Sequence, residues 1–286
     1  MQDGYRVCVN LVEFTALLGA GSLGAGFLGS LTGLGGGVVL VPLLALGFHV
    51  DIRYAIGASL ISVIATSSGA ASAYVKDGYT NLRVGMFLEI ATTLGALAGA
   101  ALAARAPTPW IAVLFGIVLM HSAYLSGRPP APDAAYGGSD PWARRLKLAG
   151  SYPTPAGPRA YHARGVPAGF ALMMLAGVLS GLLGIGSEAI KVLAMDRAMR
   201  LPFKVSTTTS NFMIGVTAAA SAGVYLNRGF IDPGLAMPVM VGVLLGSLAG
   251  ARVLVRTRTR LLRIVFSLVI LLLGFEMIYN GLTGRL

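Results

Sequence analysis

Two short runs, Gly35-Gly36-Gly37 and Gly186-Ser187-Glu188, interrupt long apolar stretches of the chain. Glycine leaves its backbone N–H groups uncovered, and a helix starting just beyond directs its free N–H groups and positive dipole end back at the break. The first run therefore predicts a cradle for an anion, built from the amides of Gly35, Gly36 and Gly37; the second offers Gly186 and the hydroxyl of Ser187. Close helix crossing is the alternative use of such glycines. The segment after each break carries hydroxyls at helical spacing: Ser59, Ser62 and Thr66 in one, Ser206, Ser210 and Thr217 in the other, with Asn211 beside them. Offsets of three, four and seven place such groups on one helix face, where they either donate to an oxyanion or bond their own preceding carbonyls. Lys191 and Glu188 stand three residues apart after the second break, whereas Gly37 and Leu40 hold those places after the first. Lys191 would attract an anion and Glu188 would take up a proton, or the two would neutralise each other. Glu89 falls about two turns into its own helix, as a gate or at an interface, while Glu13, His121 and Glu276 fall near helix ends.

The elements that hold these residues are made for lipid. Of 286 residues 55% are hydrophobic and only 12% charged, and the mean hydropathy is +0.76, far from globular usage. The formal charge of +11 would suggest a nucleic-acid face in a soluble protein. Here the basic residues lie between apolar stretches, which is the signature of membrane topology, and no nucleic-acid partner is expected. The longest polar segment, 126–166, is too short for a sizeable catalytic domain. The single cysteine, Cys8, excludes an internal disulfide, and the isolated His49, His121 and His162 offer no metal-ligand pair. No metal and no cofactor are expected.

Apolar runs of about twenty residues, enough to cross roughly 30 Å of hydrocarbon, occupy 54–75, 82–104, 109–125, 204–226, 234–255 and 261–281. Two longer stretches, 11–47 and 167–199, are each read as a helix, a glycine break and a shorter helix. Shifting the chain by 151 positions aligns 26–101 with 177–252 without a gap, matching Gly33 with Gly184, Gly35 with Gly186, Ser59 with Ser210, Thr66 with Thr217 and Gly78 with Gly229. It also matches Gly95 and Gly99 with Gly246 and Gly250, whose four-residue spacing suits helix contact. The expected organisation is an all-α polytopic membrane protein with a first repeat over 1–125, a basic Pro/Gly-rich linker over 126–166 and a second repeat over 167–286. Duplications of this type are common in secondary transporters, with the substrate site between the halves.

Charge decides their relative orientation. If each broken segment returns to its starting side, sixteen of the twenty-two Lys and Arg fall on one side, including the linker, and five on the other. If each crosses once, the five arginines of 252–263 fall opposite the basic linker. The positive-inside rule selects the first arrangement: inverted repeats, both termini extracytoplasmic, the linker cytoplasmic. A re-entrant hairpin and a pair of full crossings give the same parity, and both stay open at this point. An N-terminal signal peptide is the alternative reading of 11–33, opposed by the copy of that segment in the second half. Seven prolines and six glycines between 126 and 166 oppose packed structure. Only 142–148 is expected to form a short basic amphipathic turn on the lipid surface.

The run Gly33-Leu34-Gly35-Gly36-Gly37-Val38-Val39-Leu40-Val41-Pro42-Leu43, its weaker copy Gly184-Ile185-Gly186-Ser187, and the Gly95/Gly99 and Gly246/Gly250 pairs resemble the TauE/SafE family of sulfite and organosulfonate exporters. The resemblance covers nearly the whole chain. It implies a carrier in a bacterial inner membrane that moves sulfite, sulfoacetate, sulfolactate or related sulfur oxyanions outward. The second copy departs from the pattern: Ser187-Glu188 replaces two glycines and Leu193 replaces the proline.

An intramembrane enzyme is not expected. Asp51, Asp77, Asp196 and Asp232 all fall at span ends, and neither a His-Glu-x-x-His nor a Gly-x-Ser-x-Gly pattern occurs. An anion channel, or an importer of a sulfur oxyanion or carboxylate, remains an alternative to the exporter. The expected partners are the small anion and the lipid bilayer, with a homo-oligomer left open.

Overall fold

The computed structural model describes residues 11–32, 37–76, 78–126, 140–154, 157–185, 188–254 and 259–284. The first half contains α1 (Leu11–Thr32), a short α2 (Gly37–Pro42) that runs into a π-helical turn (Leu43–Gly47), α3 (Ile52–Lys76), α4 (Leu82–Ala103) and α5 (Thr108–Ser126). A short α6 (Pro141–Arg145) and a hairpin, β1 (Gly150–Thr154) with β2 (Gly157–Tyr161), lead into the second half. That half contains α7 (Val166–Leu183), α8 (Glu188–Leu193) with its own π turn (Ala194–Ala198), α9 (Phe203–Asn227), α10 (Pro233–Leu254) and α11 (Thr259–Leu282). Both ends of α2, α3 and α4 recur 151 positions later as the ends of α8, α9 and α10, and the two π turns obey the same offset. Even the backbone exceptions repeat: His49 and Arg200 have φ of 53° and 55°, Gly78 and Gly229 of 71° and 74°. Among the described residues, α4, α7 and 233–250 of α10 are long and apolar enough to cross a membrane.

Helix packing follows the small residues. Gly95 and Gly99 of α4 lie against the carbonyls of Met174 and Val178 on α7, and Gly246 of α10 lies against that of Leu23 on α1. Without side chains at these places the backbones approach closely, which is how helices associate where lipid is as apolar as the core. In each of these pairs the two helices run in the same direction. The repeat-related pairs run in opposite directions: Gly116 of α5 meets Gly274 of α11 while Gly281 meets Pro109, and Gly57 of α3 meets Phe230 while Ser67 meets Gly215 of α9.

In each half the end of the π turn touches the start of the preceding long helix. The Phe48 ring packs edge-on against Phe14 near the start of α1, centroids 5.9 Å apart. In the second half Arg164 N–H donates to the Met199 carbonyl at 3.0 Å, joining the end of the π turn to the start of α7. The returning arm Gly37–Gly47 is about 16 Å long at 1.5 Å per residue, about half of a roughly 30 Å hydrocarbon layer.

The expectation that 126–166 lacks packed structure is corrected for its second part. Ala143, Leu148, Tyr152, Tyr161 and Ala163 are buried in one cluster with Val84, Leu88, Met195 and Met199. The prolines do not oppose this, because Pro153 and Pro158 face each other in an isolated two-stranded ribbon that needs no further ladder. Asp140 caps α6 and also accepts from Val166 N–H, while Asn81 Nδ2–H donates to the Tyr161 hydroxyl at 2.8 Å. Burial pushes the Tyr161 phenol above its ordinary range, with the Asn81 bond opposing. Residues 140–165 are thus fastened to the starts of α4 and α7. Trp142 is exposed.

Candidate functional site

Between the start of α2 and the end of α7, Ser59 of α3 is fully buried and its Oγ–H donates to the Gly184 carbonyl at 2.9 Å. Gly184 ends α7 in the left-handed region, φ 67°, a conformation that glycine adopts without strain. A Cβ placed on Gly37 would lie 2.7 Å from Ser59 Oγ and 3.1 Å from the Gly184 carbonyl. The first residue of α2 and the last turn of α7 therefore touch the same hydroxyl, and the two halves meet here. Gly35, Gly36, Gly186 and Ser187 lie outside the described residues, as does the side chain of Glu188.

Lys191 occupies the second turn of α8 with 0% of its surface exposed. Among the described residues it is the one Lys, Arg, Asp or Glu that is fully buried. Its Nζ donates to Thr217 Oγ1 at 2.8 Å, and Thr217 Oγ1 lies 2.8 Å from Glu89 Oε1 on α4. Thr93 Oγ1–H also donates to Glu89 Oε1, at 3.1 Å. Because the ammonium supplies a proton to Thr217, the hydroxyl's own proton is free to face Glu89 or the Met213 carbonyl, 3.1 Å away. Glu89 Oε2 is buried with no hydrogen-bond partner among the described residues. A cation from α8, a hydroxyl from α9 and a carboxylate from α4 thus form one buried chain between the halves.

The other predicted hydroxyls divide. Ser62 and Thr66 donate to the carbonyls of Ala58 and Ser62, each at 3.0 Å, the local bonding open to hydroxyls inside helices. Ser210 is buried and its Oγ has no partner among the described residues, as is true of Ser206. Asn211 is half-buried on α9. Thr217 as a bridge was not legible in spacing alone, since its partners come from two other helices. Its coincidence with Thr66 at the repeat offset was the available signal. No group of three or more His, Cys, Asp and Glu able to hold a metal ion occurs among the described residues.

Residues 18–277 match the sulfite exporter TauE/SafE family. A probable membrane transporter protein of Bacillus subtilis, YunE, is 27% identical over 268 residues, covering 90% of this chain and 95% of that protein. Another from the same organism, YdhB, is 28% identical over 77% of this chain and 82% of its own length. A probable membrane transporter protein of Xylella fastidiosa strain 9a5c is 26% identical over 92% and 94% of the two chains. No solved structure matches significantly. With the match extending from α1 into α11, and apolar helices throughout, the chain is a membrane protein that belongs to the TauE/SafE family of transporters.

Proposed function

We propose that the protein exports sulfite or a small organosulfonate, of the sulfoacetate or sulfolactate type, by alternating access around an anion held between the two breaks. The observation that carries this reading is the complete burial of the Lys191 ammonium, bonded to Thr217 of α9 and through it facing Glu89 of α4. Ionisable residues buried at membrane depth are rare and mark substrate or ion pathways, and Lys191 is such a residue. The family's printed description, a sulfite exporter, supplies the substrate class. Lys191 attracts the anion; the amides of Gly35, Gly36, Gly37 and Gly186 and the hydroxyl of Ser187 surround it; Ser59, Ser62, Thr66, Ser210 and Asn211 line the approach. Glu188, one turn before Lys191, is a candidate for proton coupling.

The repeats are read as inverted, with the termini outside the cell and the linker in the cytoplasm. The opposed directions of α5 and α11, and of α3 and α9, support this, because a two-fold axis in the membrane plane reverses every helix it relates. The bacterial inner membrane supplies the driving force: a negative interior pushes an anion outward by about 2.3 kcal/mol per charge per 100 mV.

Protein reconstituted in sealed vesicles should carry labelled sulfite with saturation and counter-exchange, and Gly36→Leu should reduce that flux. Ohmic single-channel currents would assign a channel instead, and an unchanged Gly36→Leu flux would remove the amide cradle.

A further inference from the structure

Glu89 and Lys191 are joined through one buried hydroxyl, and only one oxygen of the carboxylate is held. Oε1 accepts from Thr93 and faces Thr217, while Oε2 is buried without a partner among the described residues. This carboxylate faces the Lys191 cation through Thr217. An anion arriving at Lys191 places a second negative charge near a single ammonium, where low dielectric makes the excess costly. Elements packed on α4 offer little to offset it. α7 has no ionisable side chain, and α9 has only Lys204, which sits over the Tyr79 ring, and Tyr225, whose hydroxyl reaches the Leu182 carbonyl. On α8 the other ionisable residue is Glu188.

We propose that Glu89 is the proton carrier of the transport cycle: the anion binds at Lys191 only as Glu89 takes up one proton, so that one proton crosses with each anion. The proton adds to Oε2 of the carboxylate to give the neutral acid and leaves from the same oxygen when the anion departs on the other side. Thr217 links the two events, because an ammonium that turns to the anion releases the hydroxyl it was bonding. This inference rests on the transporter reading and deepens it. A dianion then leaves with one net negative charge, still driven outward by the membrane potential, whereas a monoanion crosses as a neutral pair.

Sulfoacetate is a suitable probe because both its acidic groups are ionised between about pH 6 and 8, so protons counted in that range belong to the protein. Calorimetric titration of the full-length protein in two buffers of different ionisation enthalpy gives the protons taken up per anion bound. The wild type should take up about one, and its affinity should rise by up to about tenfold per pH unit of acidification, as linkage requires. Glu89→Gln should bind sulfoacetate with no proton uptake and a flat pH dependence, and Glu276→Gln, exposed on α11, should keep the wild-type behaviour. The wild-type proton count stands even if Glu89→Gln does not fold. Binding without proton uptake overturns this proposal and leaves the transporter reading intact. Persistence of the pH dependence in Glu89→Gln, or its loss in Glu276→Gln, also overturns it. No binding of sulfoacetate at all overturns the organosulfonate reading and the proposal with it.

Discussion

The two returning arms have nearly the same backbone and opposite chemistry. α2 and α8 each run six residues into a five-residue π turn. The turns close alike, with Val50 N–H on the Leu44 carbonyl at 3.1 Å and Leu201 N–H on the Met195 carbonyl at 3.0 Å. Yet α2 reads Gly-Val-Val-Leu-Val-Pro and is buried throughout, while α8 reads Glu-Ala-Ile-Lys-Val-Leu and carries the buried ammonium. The two segments thus share their backbone and differ in charge, and under the proposed function the shared part serves packing and the charged part serves the solute.

That contrast is broken most strongly at Lys191. Lys191→Met should abolish anion binding and, by leaving Glu89 buried without its cation, cost about 3–5 kcal/mol in unfolding experiments in detergent. The double variant with Glu89→Gln should recover most of that stability without recovering binding; equal loss in both would show that the two residues are not coupled. Next comes the frame itself. Gly95→Ala places a methyl on the Met174 carbonyl, and Gly246→Ala places one on that of Leu23, its repeat equivalent. Each should cost about 1–3 kcal/mol by overpacking, and a large effect at one site with none at the other would end the symmetry.

The meeting point of the breaks yields a smaller effect. Ser59→Ala removes the donor to Gly184 and should cost about 1 kcal/mol. Gly37→Ala crowds Ser59 Oγ at 2.7 Å, so combining the two should cost less than their sum in thermal unfolding, and strict additivity would separate them. Smallest is Tyr161→Phe, which removes the acceptor of Asn81 and should cost about 0.5–1.5 kcal/mol with transport unchanged.

Much of the frame was legible in the chain because glycine position and the 151-residue offset act through backbone sterics. Gly33, Gly184 and the Gly95/Gly246 pair mark breaks and crossings wherever they stand. The segments after the breaks were legible only as parity, and the chain alone did not show the Phe48 ring against Phe14. The Lys191–Thr217–Glu89 chain was not legible as a unit, because Thr217 and Glu89 are 128 positions apart and unite only through the crossing of α4 and α9. The hairpin over 150–161 was hidden by its prolines, whose tolerance depends on the ribbon having no further strand to pair with.

An experimental structure with sulfoacetate bound tests the central claim most directly. The account predicts its sulfonate oxygens within hydrogen-bond distance of Lys191 Nζ and of the amides at 35–37, with Glu89 no longer bridged to Lys191 through Thr217. A sulfonate seated elsewhere, with the Lys191–Thr217–Glu89 chain unchanged, would contradict it.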